Sequence, residues 1–120
     1  MIIKIFNEEL TENEKLYGYD KGYYILTNAN ENDYQYLRKE FCRFINNNVG
    51  EIIECTNRYV SVRYDNVPDD IKIHFIAVIT ENENYYRTYI ILSDIEHCFK
   101  KKIDAEKFAK YKEITNKFNL

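Results

Sequence analysis

The segment that most constrains the fold is residues 49–64, VGEIIECTNRYVSVRY, in which Thr56 and Asn57 separate two apolar-rich runs. In the second run the side chains alternate in character, which is the period-two pattern of a strand with one buried face. The inward set is Val60, Val62 and Tyr64, and the outward set is Tyr59, Ser61 and Arg63. The segment therefore predicts a β-hairpin whose Thr-Asn turn depends on the tolerance of asparagine for positive φ.

The remaining patterns predict further strands and two substantial helices. One hundred and twenty residues is the size of a single domain, so residues 1–120 are expected to bury one core. The predicted elements are strands at residues 1–6, 23–27, 71–80 and 85–92, a helix capped by Asn30 that ends at residues 46–48, a capping-box turn begun by Ser93, and a final helix at residues 104–119. The first half of the strand at residues 71–80 is expected to be covered on one side and its second half on both. Together these elements predict a single α+β domain.

Charge is unevenly distributed along the chain. The net charge is −3 and the pI is about 5.4, which argues against a protein that coats duplex DNA, since phosphate neutralisation needs clustered Lys and Arg. Residues 65–99 hold seven acidic and two basic residues, whereas residues 100–120 hold seven lysines and three acids. The resulting acidic and basic regions are expected to steer partners.

No motif in the sequence predicts catalysis, a metal site or a cofactor. Cys42, Cys55 and Cys98 form no CxxC pair, and His97 and Cys98 are adjacent, which directs their side chains apart. The widely spaced cysteines, without a cleavable apolar N-terminal segment, predict reduced thiols in a cytoplasmic protein. The longest apolar run, FIAVI at residues 75–79, is too short to span a bilayer. We therefore expect no enzyme activity, no bound cofactor and no membrane partner.

The best candidate for function is a surface. The outward side chains of the two central strands are rich in Tyr and Arg, the residues that dominate protein interfaces and that also stack on unpaired bases. Cross-strand tyrosine pairs that only stabilise the sheet are an alternative interpretation. The predicted partner contacts, with acidic residues of the neighbouring segment included, are Tyr59, Arg63, Asp69, Asp70, Glu81, Glu83, Tyr85, Arg87 and Tyr89.

About half of the chain resembles a small SH3-like barrel. The resemblance is carried by Val49-Gly50, by the run from Val62 to Asp65 and by Asp94-Ile95-Glu96, which match a VG-x-I strand, a V-x-(Y/F)-D strand and a terminal turn. The helix before Val49 and the long strand pair depart from that pattern. The expected architecture is therefore an antiparallel sheet or an SH3-like barrel, with one inserted helix and a C-terminal helix. Such barrels are mostly binding modules, which is what the resemblance implies here.

Two functions follow as expectations. The first is a non-enzymatic protein-binding module, similar in style to small acidic phage-encoded inhibitors such as anti-CRISPR proteins, which would present an acidic surface to a basic groove of a host protein. The second is binding of single-stranded nucleic acid by Tyr59, Arg63, Arg87 and the C-terminal lysines, with steep salt dependence as its signature. The sequence does not give the oligomeric state.

Overall fold

Six antiparallel strands form one sheet, and helices pack on both of its faces. The computed structural model describes the backbone of residues 10–33 and 36–118, so the strand predicted at residues 1–6 lies outside the described residues. The elements are α1 (Glu12–Tyr17), β1 (Tyr24–Thr27), α2 (Tyr36–Asn46), β2 (Gly50–Cys55), β3 (Tyr59–Tyr64), β4 (Ile76–Ile79), β5 (Asn84–Ile91), β6 (Ile95–Phe99) and α3 (Lys102–Phe118). The strand order is β4-β5-β3-β2-β1-β6. The predicted α+β class is confirmed, in the form of an antiparallel sheet.

The predicted hairpin is β2 followed by β3. Thr56 organises its turn: the Thr56 N–H donates to the Tyr59 carbonyl at 2.9 Å, and the Thr56 hydroxyl accepts from the N–H groups of Arg58 and Tyr59. The tip is therefore Asn57-Arg58, one residue later than the Thr-Asn turn expected from the sequence. A threonine side chain thus stabilises a turn that contains no glycine.

Asparagine side chains fix the position of α2 against the sheet. Asn46, at the end of α2, accepts hydrogen bonds from the Thr27 hydroxyl and the Ala29 N–H, each at 2.8 Å, and donates to the Ala29 carbonyl at 2.9 Å. Asn47 and Asn48 donate to carbonyls of the last helical turn. The bonds from Asn47 and Asn48 satisfy carbonyl groups that the end of a helix otherwise leaves unpaired. The predicted end of the helix is confirmed. Asn30 caps the start as predicted, since its side chain accepts a hydrogen bond from the Asn32 N–H at 3.0 Å, but the turn that follows is a 3₁₀ turn, Glu31–Asp33, and α2 is assigned from Tyr36.

The core lies on the face of the sheet that α2 covers. Val60 and Val62 are fully buried and Tyr64 is 1% exposed, as the alternation of β3 predicts. Tyr64 lies against Gly50 of β2: a Cβ atom at Gly50 would come within 2.7 Å of the Tyr64 ring and 2.4 Å of Val62 Cγ1. Gly50 is therefore required because the backbone of β2 packs closely against side chains of β3, and not because a turn needs a glycine there.

The opposite face of the sheet is covered at one end by α3. This helix contacts β1 and β6. Ala105 on α3 is fully buried, and Leu26 on β1 is only 1% exposed. The helix begins two residues earlier than predicted, and Tyr111 on it is 65% exposed. Among the described residues, no helix has both the length and the apolar character needed to cross a bilayer.

The long strand predicted at residues 71–80 is wrong in its first half. A 3₁₀ helix, Asp69–His74, follows Pro68, and only Ile76–Ile79 form β4. Local hydrogen bonds from the Ile71 N–H to the Pro68 carbonyl and from the Phe75 N–H to the Lys72 carbonyl favour the helical turn. Ile71 and Phe75 are buried whereas Ile73 between them is 78% exposed, so the alternation that a strand would require does not hold here.

The expectation that the second half of this strand is covered on both faces is also wrong. Ile76 and Ile79 are 42% and 79% exposed, since β4 lies at the edge of the sheet and pairs with β5 alone among the described strands.

The short helical turn predicted at Ser93 is present, but the predicted capping box is wrong. The 3₁₀ turn is Leu92–Asp94, its cap residue Ile91 makes no side-chain capping bond, and the chain continues directly into β6. Pairing of β6 with β1, which is remote in sequence, extends the backbone here. Tertiary pairing therefore overrides the local helix signal.

Replacing Gly50 by alanine tests the packing of Tyr64 against β2. The added methyl group has to displace the Val62 and Tyr64 side chains, so G50A is expected to lower the free energy of unfolding by about 1–3 kcal/mol, the usual cost of overpacking a core. Urea denaturation followed by circular dichroism measures it. A variant as stable as the wild type would show that the two strands do not approach this closely.

Candidate binding face

The sheet surface opposite the core carries a group of aromatic and arginine side chains over β3 and β5, away from the strands that α3 contacts. Alternation places these side chains on one face, because their strand neighbours are the core residues. We call them the Tyr–Arg face; it consists of Tyr59, Ser61, Arg63, Tyr85, Arg87 and Tyr89. The structure thus brings together five of the nine predicted contact residues.

The rings and guanidinium groups of this face contact one another. Tyr59 and Tyr89 meet edge to face, with ring centroids 4.9 Å apart. The Arg63 guanidinium lies over the Tyr85 ring at 4.7 Å, and that of Arg87 lies 5.6 Å from the centre of the Tyr89 ring. Such edge-to-face and cation–π geometries hold long side chains in defined positions. These contacts hold the side chains of the face against one another.

Two arginines lie directly opposite each other in this face. Arg63 pairs with Arg87 in the register of β3 and β5, an arrangement that is unfavourable for like charges unless acids compensate it. Glu83 accepts from Arg63 Nη1 at 2.9 Å and Asp65 from Arg63 Nε at 3.4 Å. Glu54 Oε2 lies 3.8 Å from Arg87 Nη1. Three carboxylates therefore balance the two cations, and the hydrogen bond to Glu83 raises the pKa of Arg63.

Ser61 differs from its expected outward exposure. It lies on the predicted face but is fully buried, because the Arg87 side chain folds over it with Nη1 3.4 Å from the Ser61 hydroxyl. Arg87 and Arg63 themselves have side chains only about a quarter exposed, at 26% and 25%. Tyr89 is the most accessible member of the face, at 46%.

The predicted acidic contacts do not form one patch. Asp69 and Asp70 begin the 3₁₀ helix before β4, whereas Glu81 and Glu83 lie in the turn after it, so β4 separates the two pairs. Asp69 is paired with Lys72 at 2.5 Å. Only Glu83, through its bond to Arg63, adjoins the Tyr–Arg face.

Two acids that complete the face were not predicted from the sequence, namely Glu54 and Asp65. Strict alternation from the buried Ile52 would place Glu54 on the core face, but a register shift between Ile52 and Glu54 turns Glu54 outward to pair with Ser61, so the alternation of β2 gave no signal for it.

The thiol and imidazole groups occupy packed positions. Burial raises the pKa of the Cys42 and Cys55 thiols, and it raises the pKa of Cys98 to about 11. His97 contacts the Phe108 ring on α3 at 4.3 Å, while Cys98 packs against the core cluster on the other side of β6. The two adjacent residues thus face apart, as expected. Thiols that stay protonated at neutral pH are poor nucleophiles.

One concave region meets the surroundings of the Tyr–Arg face at Asp65, the acid that pairs with Arg63 Nε. It is an open groove of about 710 Å³ between α3 and the turn after α2, and it contains none of the predicted contact residues. Its walls carry lysines, acids and the asparagines that end α2. Among the described residues, no three His, Cys, Asp or Glu side chains are grouped so that they could hold a metal ion.

Comparison with protein-family models, with curated proteins and with solved structures finds no significant match to this chain. The resemblance to SH3-like barrels and the likeness in style to phage inhibitors therefore stay predictions.

A double-mutant cycle on Tyr59 and Tyr89 tests the order of this face. The variants Y59A, Y89A and the double substitution are expected to give a coupling free energy of about 0.5–1.5 kcal/mol, the usual value of an aromatic pair beyond its area burial. Urea denaturation of the four proteins provides it. Additive effects, with no coupling, would contradict the edge-to-face contact.

Proposed function

We propose that this chain is a non-catalytic protein-binding module and that the Tyr–Arg face is its contact surface. The observation that carries the proposal is the set of ordered Tyr and Arg side chains on a sheet face that no described helix covers over β3 and β5. Tyr and Arg are enriched at interfaces and at their hot spots. Rings already held by neighbours lose little conformational freedom on binding, which favours affinity.

The charge of the face favours a protein over a nucleic acid. Two arginines are balanced by Glu54, Asp65 and Glu83, so the face has no excess of positive charge with which to neutralise phosphates. Lysines are concentrated instead on and before α3, which packs at the other end of the sheet and where Lys112 is paired with Glu96. Binding of single-stranded nucleic acid therefore receives less support and becomes an outcome of the test.

A narrower form of the proposal concerns the kind of partner. An acidic module of net charge −3 suits a host protein with a basic surface, whose activity it would inhibit by occupying that surface. Internal ion pairs engage Asp69 and Glu83, so the acids best placed to attract such a partner are Asp70 and Glu81, which are exposed.

Affinity capture with matched tyrosine variants tests the proposal. Tagged wild-type protein, Y89A and Y111A are incubated with a lysate, with and without nuclease. Tyr89 and Tyr111 are both exposed, but only Tyr89 belongs to the face, so we expect Y89A to lose at least tenfold of a nuclease-resistant protein partner that Y111A retains.

Two other results of this capture experiment would count against the proposal. Equal capture by Y89A and Y111A would contradict the assignment of the face, and capture abolished by nuclease would favour the nucleic-acid alternative. The pair D70K and E81K tests the narrower form without disturbing the ion pairs of Arg63 and Lys72: unchanged capture would remove the basic-groove partner and leave the Tyr–Arg face in place.

A further inference from the structure

The outer edge of β4 is an apolar strand without a neighbour among the described residues. β4 is the first strand of the sheet order and pairs with β5 only. Its register with β5 has no irregularity, and the Ile76 and Ile79 side chains are 42% and 79% exposed. An edge of this kind is a template for pairing with another strand.

The two edges of the sheet differ in protection. Residues 75–80 contain no charge and no proline, whereas β6 at the other edge contains Glu96, ends next to three consecutive lysines and pairs with β1 through a register shift. Charges and bulges are the usual means by which proteins prevent edge pairing. Of these two edges, only that of β4 lacks both charged side chains and a register shift.

Hydrogen bonding within the β4–β5 hairpin shows which groups of β4 point outward. The Thr80 N–H donates to the Glu83 carbonyl at 2.9 Å. Because backbone groups alternate in direction along an antiparallel strand, Ile76 and Val78 also point toward β5. Ala77 and Ile79 therefore direct their N–H and carbonyl groups away from the sheet.

We propose that β4 of two copies of this chain pair antiparallel about a two-fold axis through Val78, which joins their sheets. In this register Ala77 exchanges two hydrogen bonds with the partner's Ile79, and the symmetric pair makes two more. Every outward backbone group of β4 is then satisfied. The small Ala77 side chain lies opposite the large side chain of the partner's Ile79, and Val78 meets its own copy at a close, non-hydrogen-bonded pair.

The self-complementary register and the uncharged edge identify a second copy as the occupant. Two molecules of net charge −3 repel each other least where they meet at an uncharged segment. The neutral segment is flanked at one end by Lys72, which is already paired with Asp69 at 2.5 Å, and at the other end by Glu81, so strand pairing and not ion pairing holds the two copies together. An interface that uses the same strand in both copies closes at two molecules and does not propagate into a fibre.

The geometry of the joined sheet has one consequence for the Tyr–Arg face. A two-fold axis perpendicular to the sheet keeps equivalent faces on the same side, so the dimer would present two copies of the face side by side. The pairing does not depend on the proposed function, because its evidence is confined to β4 and the flanking residues.

Sedimentation equilibrium over a concentration series tests the pairing. A short strand pair buries less than the roughly 1,200 Å² of a standard interface, so we expect a reversible dimer whose mass approaches twice 14.6 kDa at high concentration. A77P removes an outward donor without breaking a hydrogen bond to β5, and I79K places a charge at the edge. Both should weaken association at least tenfold while the melting temperature stays close to that of the wild type.

Disulfide trapping tests the register. V78C places two thiols across the two-fold axis and should give a covalent dimer under mild oxidation, whereas I73C, at a 78% exposed position off the axis, is the matched control and should give much less. A wild-type mass of 14.6 kDa at every concentration, or equal trapping by V78C and I73C, would overturn the proposal.

Discussion

The burial of one face of β3 is the constraint on which the rest of the structure depends. Val60, Val62 and Tyr64 are almost completely enclosed by the core, and β3 is hydrogen-bonded to a strand on each side. A shift of one residue would move the Arg63 side chain into the core and the valines into solvent, at a large cost in free energy. The same burial that stabilises the sheet therefore determines which side chains form the Tyr–Arg face.

Charge balance makes this face possible and also limits what it can bind. Arg63 and Arg87 are cross-strand neighbours, and their repulsion is offset by carboxylates from three different segments, Glu54, Asp65 and Glu83. Exposed pairs of this type contribute little to stability, so their main effect is to order the arginines and to reduce the positive charge. An ordered, nearly neutral surface rich in tyrosine suits a protein partner better than a phosphate backbone.

The sequence predicted the parts of the fold in which local alternation and burial agree. The faces of β3 and β5 follow from period-two patterns, and the end of α2 follows from its asparagines. The strand prediction for residues 71–74 is wrong although Ile71 and Ile73 alternate as in a strand. Hydrogen bonds after Pro68 and the burial of Phe75 stabilise a 3₁₀ helix there instead. β6 and the pairs Arg63–Glu83 and Arg87–Glu54 depend on contacts between residues remote in sequence, which no local pattern encodes.

Site-specific photocrosslinking tests the central claim, that the Tyr–Arg face is the contact surface, most directly. A benzophenone amino acid is placed at Tyr89, within the face, or at Leu16 on α1, which is 68% exposed and lies outside it, and each protein is irradiated in a nuclease-treated lysate. The account predicts a discrete crosslinked protein from position 89 and none of that species from position 16. Equal crosslinking from both positions, or crosslinking from position 16 alone, would contradict it.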